Sequence, residues 1–207
     1  NIKKFIDEPI ILKTIKNLIK MKMFDKIFVS TDSKKIFKIV QKIKKVEIIN
    51  RPKKLSDDYA GTREVVVHAI KKISKNFEFK KVYCVYPTSI FLKKNNIILA
   101  NKILKEKNYI FSASPVNKSF LRSFYFDKKN KLQLYNKKNY YHRTQDLVNL
   151  HYDIGQFYLA NKETWLKNKI IFDHNCKFVE IPKNRAYDID DPEDWKFAEK
   201  LYKINDK

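Results

Sequence analysis

The feature that most constrains the fold of this chain is the alternation of short apolar runs with longer stretches of helical periodicity. Apolar residues recur every three or four positions over residues 9–22, whereas residues 26–30 and 82–86 form short, nearly continuous apolar runs. The first pattern predicts an amphipathic helix, and the second predicts a buried strand. Because strand and helix alternate at least three times, the sequence predicts an α/β fold with a mostly parallel sheet between helices.

The same reasoning applied along the chain predicts a series of elements and one excursion from the alternating pattern. Residues 119–135 indicate two short antiparallel strands around a turn at residues 127–130. We therefore expect a single domain over residues 1–207 that carries an inserted antiparallel β-arm at about residues 117–150. The remaining predictions are helices at residues 9–22, 36–43, 62–75, 95–107 and 192–202, and strands at residues 26–30, 46–49, 82–86, 109–116, 156–160 and 177–181.

The charge of the chain raises the hypothesis of a nucleic-acid partner, which the rest of the sequence does not support. Its 45 Lys and Arg residues against 23 Asp and Glu residues give a formal net charge of +22. Clustered cations favour nucleic-acid binding through counterion release. Here lysine is spread over nearly every predicted element, and no nucleic-acid-binding motif is recognisable. We therefore expect no nucleic-acid partner.

Cysteine usage and apolar run length bear on the location of the protein. No apolar run approaches the roughly 18 residues that a membrane-spanning helix needs, and the first residues do not resemble a secretory signal. Cys84 and Cys176 lie far apart, without metal-ligand spacing. Free thiols of this kind are typical of a reducing compartment. The sequence predicts a cytoplasmic location and no membrane partner.

In open parallel sheets, ligands bind beyond the carboxyl ends of the strands, so the loops at those ends are the first candidates for a site. Arg51 begins such a loop, which continues to Thr62 and contains Gly61. A surface turn would explain the Asp, Gly and Thr residues, whereas the guanidinium is a better bidentate partner for phosphate than the lysines used elsewhere. From chemistry alone, both interpretations stay open.

Three further polar segments lie near predicted strands, at residues 86–89, 143–146 and 153–158. The first places two hydroxyl groups after a rigid proline, which is also a common turn. The last contains Gly155 just before a strand, and a glycine at such a place suits a β-bulge or the close approach of a ligand.

The segment at residues 187–195 carries the strongest local signal in the chain. Asp191 followed by Pro192 is typical of a helix start. Glu193 and Asp194 then suit the positive end of the helix dipole. Helix capping therefore accounts for these residues, but not for the two aspartates that precede them.

Those two aspartates, Asp188 and Asp190, predict a metal site. In extended backbone, residues two apart share a face, so both carboxylates point the same way while Ile189 points to the core. Two carboxylates this close repel each other unless a cation lies between them. Mg²⁺ takes one or two carboxylates and completes its shell with water and substrate phosphate, so we predict that the pair binds Mg²⁺.

Taken together, these motifs resemble the acylneuraminate cytidylyltransferase family, most closely its pseudaminic acid branch. They occur in the order and approximate spacing of the family, and they cover nearly the whole chain. N-acetylneuraminate enzymes usually carry Gln where Tyr86 stands. The residues that carry the resemblance are Arg51-Pro52, Leu55-Ser56-Asp57-Asp58 with Thr62 and His68, Tyr86-Pro87-Thr88, Asp153-Ile154-Gly155-Gln156-Phe157-Tyr158 and Asp188-Ile189-Asp190-Asp191-Pro192-Glu193-Asp194-Trp195.

The resemblance implies a Rossmann-like nucleotide-diphospho-sugar transferase fold and a reaction of CTP with a nine-carbon keto-sugar acid that gives a CMP-sugar and pyrophosphate. Asp188 and Asp190 would be the catalytic, Mg²⁺-binding residues, and the protein would be a homodimer. The other implied roles are nucleotide binding by Asn1, Arg51, Ser56, Asp58 and Thr62, and sugar binding by Tyr86, Thr88, Arg143, Gln145, Asp153 and Gln156.

The resemblance also carries an expectation about the beginning of the chain and leaves alternatives for its function. In the family, a strand and a phosphate-binding loop precede the position of Asn1, which implies an N-terminal segment absent from this sequence. The alternatives are a cytidylyltransferase for another keto-sugar acid, such as N-acetylneuraminate or legionaminate, and a catalytically impaired remnant or basic binding module.

Overall fold

A computed structural model describes residues 1–57, 59–106, 108–167 and 170–205, and it has the predicted alternation of strands and helices. The helices are α1 Ile10–Met21, α2 Lys34–Val40, α3 Thr62–Ile73, α4 Lys94–Ile103, α5 Lys137–Tyr140, α6 Lys162–Lys167 and α7 Pro192–Asn205. The strands are β1 Lys4–Phe5, β2 Glu8–Pro9, β3 Ile27–Thr31, β4 Val46–Asn50, β5 Lys81–Val85, β6 Ile110–Pro115, β7 Phe124–Phe126, β8 Leu132–Leu134, β9 His151–Asn161 and β10 Lys177–Glu180.

The principal sheet has four strands in the order β10-β6-β9-β5. β6 and β10 pair in parallel, and β9 is antiparallel to both of its neighbours, β5 and β6. β5, β6 and β10 therefore run in one direction, and β9 alone runs in the other. The predicted α/β fold is confirmed, but the expectation of a mostly parallel sheet needs correction: the sheet is mixed, because the reversed β9 lies inside it and makes two of its three pairings antiparallel.

Helices cover both faces of this sheet, as the alternating pattern predicts. On one face, α1 and α4 contribute Leu18 and Ile97 to a core that includes Phe157 and Leu159 of β9. On the other face, α3 and α6 contribute Val66 and Trp165, which pack with Tyr158 and Ala160 of the same strand. Successive residues of β9 thus alternate between two apolar cores, so β9 is the centre of the fold.

A second, separate sheet is formed by β3 and β4, which pair in parallel from Ile27 with Val46 to Thr31 with Asn50. A cavity of about 780 Å³ lies between β3 and β5 and is lined by residues of both strands along their whole length. Among the described residues, neither strand has a hydrogen-bonded neighbour on the side that faces this cavity. The carboxyl ends of β3 and β5 lie at the same end of the cavity as Arg51 and Thr62.

The boundaries of three predicted helices need correction. α3 begins at Thr62, as predicted, but ends at Ile73, not at residue 75; Gly61 occupies its N-cap position, without a side-chain cap. α2 ends at Val40, so Ile43 lies beyond it, and the hydroxyl of Ser33 caps its start by accepting from the N–H of Ile36. Phe37 of α2 is exposed, because this seven-residue helix buries only Val40 against the β3–β4 sheet. The predicted helix at residues 95–107 ends at Ile103, and residue 107 lies outside the described residues.

The predicted arm is present as the hairpin β7–β8, in which Phe124 pairs with Leu134 and Phe126 pairs with Leu132. Asn130 in its turn has a positive φ of 54°, a conformation that asparagine tolerates well. A short 3₁₀ helix, Lys118–Arg122, replaces the first part of the predicted antiparallel segment. In the part of the chain that the structure describes, no helix is long and apolar enough to cross a membrane.

The two glycines of the chain provide a matched test of the fold. Gly155 in β9 has a φ of +61°, where an L-residue is strained, whereas Gly61 lies in an ordinary extended conformation with a φ of −65°. We expect Gly155→Ala to lower the free energy of unfolding by about 1–2 kcal/mol, the usual cost of a left-handed conformation for a residue with a Cβ. Urea unfolding monitored by circular dichroism measures this loss.

Gly61→Ala is the control for that measurement. Its added Cβ would meet only the flexible end of the Glu64 side chain. Its effect on stability should be near zero, because the loss of unfolded-state entropy offsets the slightly weaker helix cap. Equal losses for the two variants would show that backbone strain at Gly155 is not the cause.

Candidate functional site

Four of the residues predicted to bind a nucleotide or a sugar come together at the carboxyl ends of β3 and β5. Asn1, Arg51, Thr62 and Tyr86 all line the 780 Å³ cavity. Arg51 bonds the last residue of β3, and Thr62 bonds Tyr86, which directly follows β5. The four residues reach the cavity from separate parts of the chain: the N-terminus, the loop after β4, the first turn of α3 and the residue after β5. The expected clustering of polar loops beyond the strand ends is therefore present.

Arg51 is anchored to the wall of this cavity by its backbone, while its side chain keeps hydrogen-bonding capacity. Its N–H donates to the carbonyl of Thr31 at 3.0 Å, and its Nη2 lies 3.7 Å from Oδ1 of Asp32. The buried Nε has no hydrogen-bond partner among the described residues. An unused guanidinium donor beside a cavity is what an anionic ligand such as phosphate would need.

Thr62 and Tyr86 are joined by a hydrogen bond between their hydroxyl groups, with an O···O distance of 2.5 Å. The ring of Tyr86 also lies edge to face against the ring of Tyr158 of β9, with centroids 5.9 Å apart. Burial raises the pKa of Tyr86 above its usual value, so its phenol stays protonated at neutral pH. This contact connects the cavity wall to the principal sheet.

Asp153, a predicted sugar-binding residue, is held at the same place by the β-bulge of β9. Its Oδ1 accepts from the N–H of Gly155 at 3.0 Å, and its Oδ2 accepts from the hydroxyl of Tyr158. Ser112 stabilises the bulge, since its hydroxyl accepts from the N–H groups of Gln156 at 2.9 Å and Phe157 at 3.2 Å. The bulge that Gly155 predicts is therefore present, within the strand rather than before it.

Tyr158 is the member of this group that sequence reasoning missed. It lies in a strand that reads as core, and its side chain is 6% exposed. Burial, and then its hydrogen bond to Asp153, raise the pKa of its phenol far above the usual value. Tyr158 belongs to the polar and aromatic motif at residues 153–158, and this was the only signal for it in the sequence. Residues 153 and 158 would lie on opposite faces of a regular strand, so periodicity does not predict that their side chains meet.

Asp188 and Asp190 lie near Asp153 in an extended segment before α7. Ile189 between them packs into an apolar cluster with Phe5 and Phe91, as expected, while both aspartates are exposed. Partial desolvation, followed by repulsion from Asp190, raises the pKa of Asp188, and the charge of Asp153 adds to this effect. The structure thus places uncompensated negative charge at this point.

The chemistry of this pair fits Mg²⁺ better than a transition metal. Among the described residues, no group of three or more His, Cys, Asp or Glu side chains comes close enough to hold a metal ion. Two carboxylates alone are typical of Mg²⁺, which keeps several waters and takes its remaining ligands from substrate phosphate. A metal ion at this pair would therefore have to take its remaining ligands from water and substrate.

The helix start predicted at residues 191–195 is confirmed in detail. Oδ1 of Asp191 accepts from the N–H groups of Glu193 at 2.7 Å and Asp194 at 2.8 Å. In return, Oδ2 of Asp194 accepts from the N–H groups of Asp190 and Asp191, each at 3.1 Å. These bonds hold the pKa of Asp194 below its usual value. The reciprocal cap fixes the backbone of Asp190, so the capping residues position the second of the two candidate metal-binding aspartates.

Several predicted site residues are not in this cluster. Arg143 is exposed on the arm, where its Nε pairs with Asp146 at 3.0 Å, and Gln145 beside it is also exposed. The hydroxyl of Ser56 donates to the carbonyl of Pro52 at 3.2 Å. Thr88 lies in the half-buried turn after β5, and Asp58 lies outside the described residues. Their assigned roles stay predictions.

Gln156 has a structural contact that the sequence did not indicate. Its side chain is 3% exposed, and its Nε2 donates to the carbonyl of Arg185 at 2.7 Å. Arg185 lies three residues before Asp188, so Gln156 ties β9 to the segment that carries the carboxylate pair. His68 of α3 is half-buried, and its buried Nδ1 has no hydrogen-bond partner among the described residues.

Comparison with known proteins gives one family. The family model described as cytidylyltransferase matches residues 1–206. The pseudaminic acid cytidylyltransferase of Campylobacter jejuni subsp. jejuni serotype O:23/36 (strain 81-176) is 33% identical over 208 residues, which cover 99% of this chain and 90% of the relative. The N-acylneuraminate cytidylyltransferase of Escherichia coli O18:K1:H7 (strain RS218 / NMEC) is 26% identical, over 93% of this chain and 46% of the relative.

Among solved structures, CMP:2-keto-3-deoxy-manno-octonic acid synthetase complexed with CTP superimposes with a TM-score of 0.69. The match covers 99% of this chain and 91% of the other, at 9% sequence identity. At so low an identity the similarity concerns the fold, and it confirms the predicted α/β nucleotidyltransferase architecture.

The aspartates of residues 188–194 should separate into two groups by their effect on stability. Asp191→Ala removes the acceptor for two helix N–H groups and should lower the free energy of unfolding by about 1 kcal/mol. Asp191→Asn should restore most of the loss, because asparagine caps nearly as well. In protein freed of divalent metal, Asp188→Asn should leave stability unchanged or raise it, because it removes repulsion between neighbouring charges. Urea unfolding at neutral pH measures all three, and a large loss for Asp188→Asn would contradict the assignment.

Proposed function

This chain belongs to the cytidylyltransferase family, and we propose that it activates a nine-carbon keto-sugar acid with CTP. A hydroxyl oxygen of the sugar attacks the α-phosphorus of CTP and forms a new phosphorus–oxygen bond. The bond from that phosphorus to the oxygen bridging to the β-phosphate breaks, pyrophosphate leaves, and the hydroxyl loses its proton. The products are a CMP-sugar and pyrophosphate.

The observation that carries this proposal is one connected site, which runs from the cavity wall to the carboxylate pair. On the wall, Thr62 and Tyr86 are joined by a hydrogen bond, and the ring of Tyr86 packs against the ring of Tyr158. The hydroxyl of Tyr158 donates to Asp153, whose charge contributes to the raised pKa of Asp188. A reaction between an anionic nucleotide and a sugar acid needs both ends of this site. Hydrogen-bond donors at the cavity wall would bind phosphate, and carboxylates at the other end would bind a metal ion and the hydroxyl groups of the sugar. Such chemistry depends mainly on positioning and on neutralising charge.

The nucleotide would bind beside Arg51, whose unpartnered Nε and neighbouring Nη groups can donate to phosphate or to the base. Asn1 and Thr62 line the same cavity and would contribute further polar contacts. Ser56 and Asp58 lie in the loop between Arg51 and Thr62, and we assign them to the nucleotide side on the basis of the family motif.

Asp188 and Asp190 are proposed to hold Mg²⁺, which would neutralise charge on the triphosphate and orient it against the sugar. The backbone N–H of Ile189 donates to Oδ1 of Asp188 at 3.0 Å and limits the rotation of that carboxylate. The reciprocal cap at Asp191 and Asp194 fixes the backbone that follows. These contacts orient the carboxylate of Asp188 and fix the backbone that carries the carboxylate of Asp190.

The sugar would occupy the space between Tyr86, Asp153 and the carboxylate pair. Thr88 lies in the same loop as Tyr86, and Gln156 lies in the same strand as Asp153. Arg143 and Gln145 would reach the site from the arm. Pseudaminic acid is the substrate we favour, because the Campylobacter relative of that name is similar along 99% of this chain. A different keto-sugar acid is the second candidate, since an N-acylneuraminate cytidylyltransferase is also similar.

The function is tested with the purified full-length protein, CTP, Mg²⁺ and a panel of sugar acids. We expect pyrophosphate release and a CMP-sugar detected by mass spectrometry, fastest with pseudaminic acid. Faster turnover of N-acetylneuraminate or legionaminate would show that the favoured substrate is wrong, while the proposed reaction with CTP would stand. Absence of pyrophosphate release with every sugar acid, although CTP binds, would refute the enzyme and favour an impaired remnant. Salt-sensitive RNA binding without CTP binding would indicate a basic binding module.

Neighbouring aspartates supply the control for the metal assignment. Asp188→Asn and Asp190→Asn should each lower kcat/KM by about 10² to 10³, as the loss of a group that stabilises developing charge does elsewhere. Asp191→Asn changes the same charge one residue further on and should retain activity, since it keeps the helix cap. Similar losses for all three variants would argue against a specific metal site.

We also propose that the protein is a homodimer formed through the β-arm. The arm exposes an unusual amount of apolar surface, and contiguous exposed patches of this kind mark interaction sites. A self-complementary surface related by a two-fold axis is the commonest way to cover one. The exposed arm residues include Phe120, Phe124, Tyr125, Phe126, Leu132 and Tyr135.

We also propose a cytoplasmic location, because Cys84 and Cys176 are both free thiols, which are typical of a reducing compartment.

Dimer formation is measured by size-exclusion chromatography with light scattering. We expect the unaltered protein at the mass of two chains and the double variant Phe124→Ser/Phe126→Ser at the mass of one, because the change removes two exposed rings from the hairpin. Phe37→Ser, which changes an exposed phenylalanine of α2 outside the arm, should remain dimeric. A monomeric unaltered protein would refute the proposal.

A further inference from the structure

The segment at residues 181–191 joins β10 to α7 and carries the aspartate pair. Its regular structure is limited to one short 3₁₀ helix, Lys183–Arg185. A segment with so little regular structure depends on contacts with the rest of the fold for its position. Arg185, three residues before Asp188, makes such contacts on two sides, one through its backbone and one through its side chain.

On one side, the backbone of Arg185 is bonded to β9. Nε2 of Gln156 donates to the carbonyl of Arg185 at 2.7 Å, and the carbonyl of Gln156 accepts from the hydroxyl of Ser89 at 2.7 Å. Because a carbonyl oxygen only accepts, the Gln156 amide must turn its NH₂ group toward Arg185. Its Oε1 is then buried, with no hydrogen-bond partner among the described residues. The bond to Arg185 is kept although it leaves a buried acceptor unpaired, which costs free energy.

On the other side, the guanidinium of Arg185 is bonded to the start of α4. Its Nη1 donates to Oδ1 of Asn96 at 3.0 Å and to the carbonyl of Phe91 at 3.4 Å. Asn96 is 4% exposed, and the same Oδ1 accepts from the N–H of Lys93 at 3.1 Å. An amide oxygen has two acceptor sites, so both sites of this Oδ1 are used. The Arg185 side chain thus ends on the cap of α4, which is itself fixed.

The guanidinium of Arg185 makes these contacts without a carboxylate partner. Among the described residues its side chain forms no ion pair, and both of its acceptors are neutral. Burial lowers the pKa of the guanidinium below its usual value. The group nevertheless stays charged, and its hydrogen bonds replace part of the hydration that burial removes. Its contacts therefore fix a position rather than pair two charges.

We propose that Gln156 and Arg185 form a two-sided anchor that positions Asp188 and Asp190 against β9 and α4. This inference rests on the proposed function. Both are positioning residues, because each acts through the backbone that carries the carboxylates. The anchor also changes the role of Gln156, which the family motif assigns to the sugar. With Nε2 bonded to Arg185 and Oε1 buried, its amide acts on the site through Arg185.

Hydrogen exchange tests the anchor without substrate or metal. The amides of Ala186, Ile189 and Asp190 are hydrogen-bonded within this segment or to α7, so their exchange reports its opening. Arg185→Met keeps an unbranched side chain and removes both bonds to the start of α4. We expect the three amides to exchange about three- to ten-fold faster relative to the amides of β6, the size of one hydrogen bond. No change, or an equal acceleration in β6, would overturn the proposal.

Gln156→Met breaks the anchor from the side of β9. It removes the donor to the Arg185 carbonyl, fills similar space and should accelerate exchange of the same three amides. If Gln156 contacts the sugar directly instead, KM for the sugar acid would rise while these amides exchange as before. That result would refute the role of Gln156 in the anchor.

Lys183→Met is the matched control, and Arg185→Lys is the conservative variant. Lys183 is exposed in the same 3₁₀ helix, so its replacement removes a positive charge beside the anchor and leaves the anchor intact. Exchange should then stay within about two-fold of the unaltered protein. Arg185→Lys keeps the charge and one donor group, and should recover part of the loss. Equal effects of Lys183→Met and Arg185→Met would show that charge is the cause and refute the anchor.

In the active protein, the anchor should appear as a change in the magnesium requirement. Arg185→Met should lower kcat and raise the Mg²⁺ concentration for half-maximal rate about three- to ten-fold. KM for CTP at saturating Mg²⁺ should change less than about two-fold, because Arg51 and Thr62 on the nucleotide side bond to other parts of the fold. An unchanged magnesium requirement in a variant with faster exchange would overturn the proposal.

The anchor and the proposed function can fail separately. If no sugar acid is turned over, only the function is refuted, and the exchange of the three amides decides the anchor. Normal turnover together with unchanged exchange in Arg185→Met would refute the anchor and leave the function intact.

Discussion

The hydrogen-bond register between β6 and β9 is the constraint on which the rest of the structure depends. Between two paired positions, β9 advances five residues along the chain, from Tyr158 to Asp153, while β6 advances only two, from Phe111 to Ala113. The excess is accommodated by Gly155 in a left-handed conformation, and the N–H groups it releases are satisfied by the buried hydroxyl of Ser112. A bulge of this kind re-aims side chains without breaking the sheet. On one side of it β9 builds two apolar cores, and on the other it presents Asp153.

The bulge also explains how one strand can serve packing and chemistry at once. Tyr158 contributes its ring to the core beside Trp165 and Ala160, while its hydroxyl holds Asp153. Gln156 is buried in the same bulge, and its side-chain amide donates to the carbonyl of Arg185, which connects β9 to the segment before Asp188. The carboxylate pair is thereby attached to the sheet from one side and to the cap of α7 from the other. The polar site is fixed by groups whose other parts are packed in the core.

The sequence predicted the parts of this structure that depend on local pattern. The helix start at Asp191, the turn at residues 127–130 and the strand at residues 177–181 follow from residue types that favour those conformations, and all are present. The reversed direction of β9 was not predictable, because an apolar run reads the same in a parallel or an antiparallel strand. The role of Tyr158 was missed for a related reason: a bulge changes which residues share a face, and periodicity assumes that none is present.

The net charge of +22 acquires a different meaning once the site is described. Taken alone, the charge raises the hypothesis of a nucleic-acid partner. Both proposed substrates are anions, however, and a positively charged protein attracts anions over distances of about a Debye length. Within that positive field, five of the 23 acidic residues fall in residues 187–195. Asp191 and Asp194 form the helix cap, and Glu193 lies in the first turn of α7. The remaining pair, Asp188 and Asp190, stands out as local negative charge that no basic side chain among the described residues pairs with. On the proposed function, a cation bound by the pair would remove the local repulsion that the phosphates of an approaching nucleotide would otherwise meet.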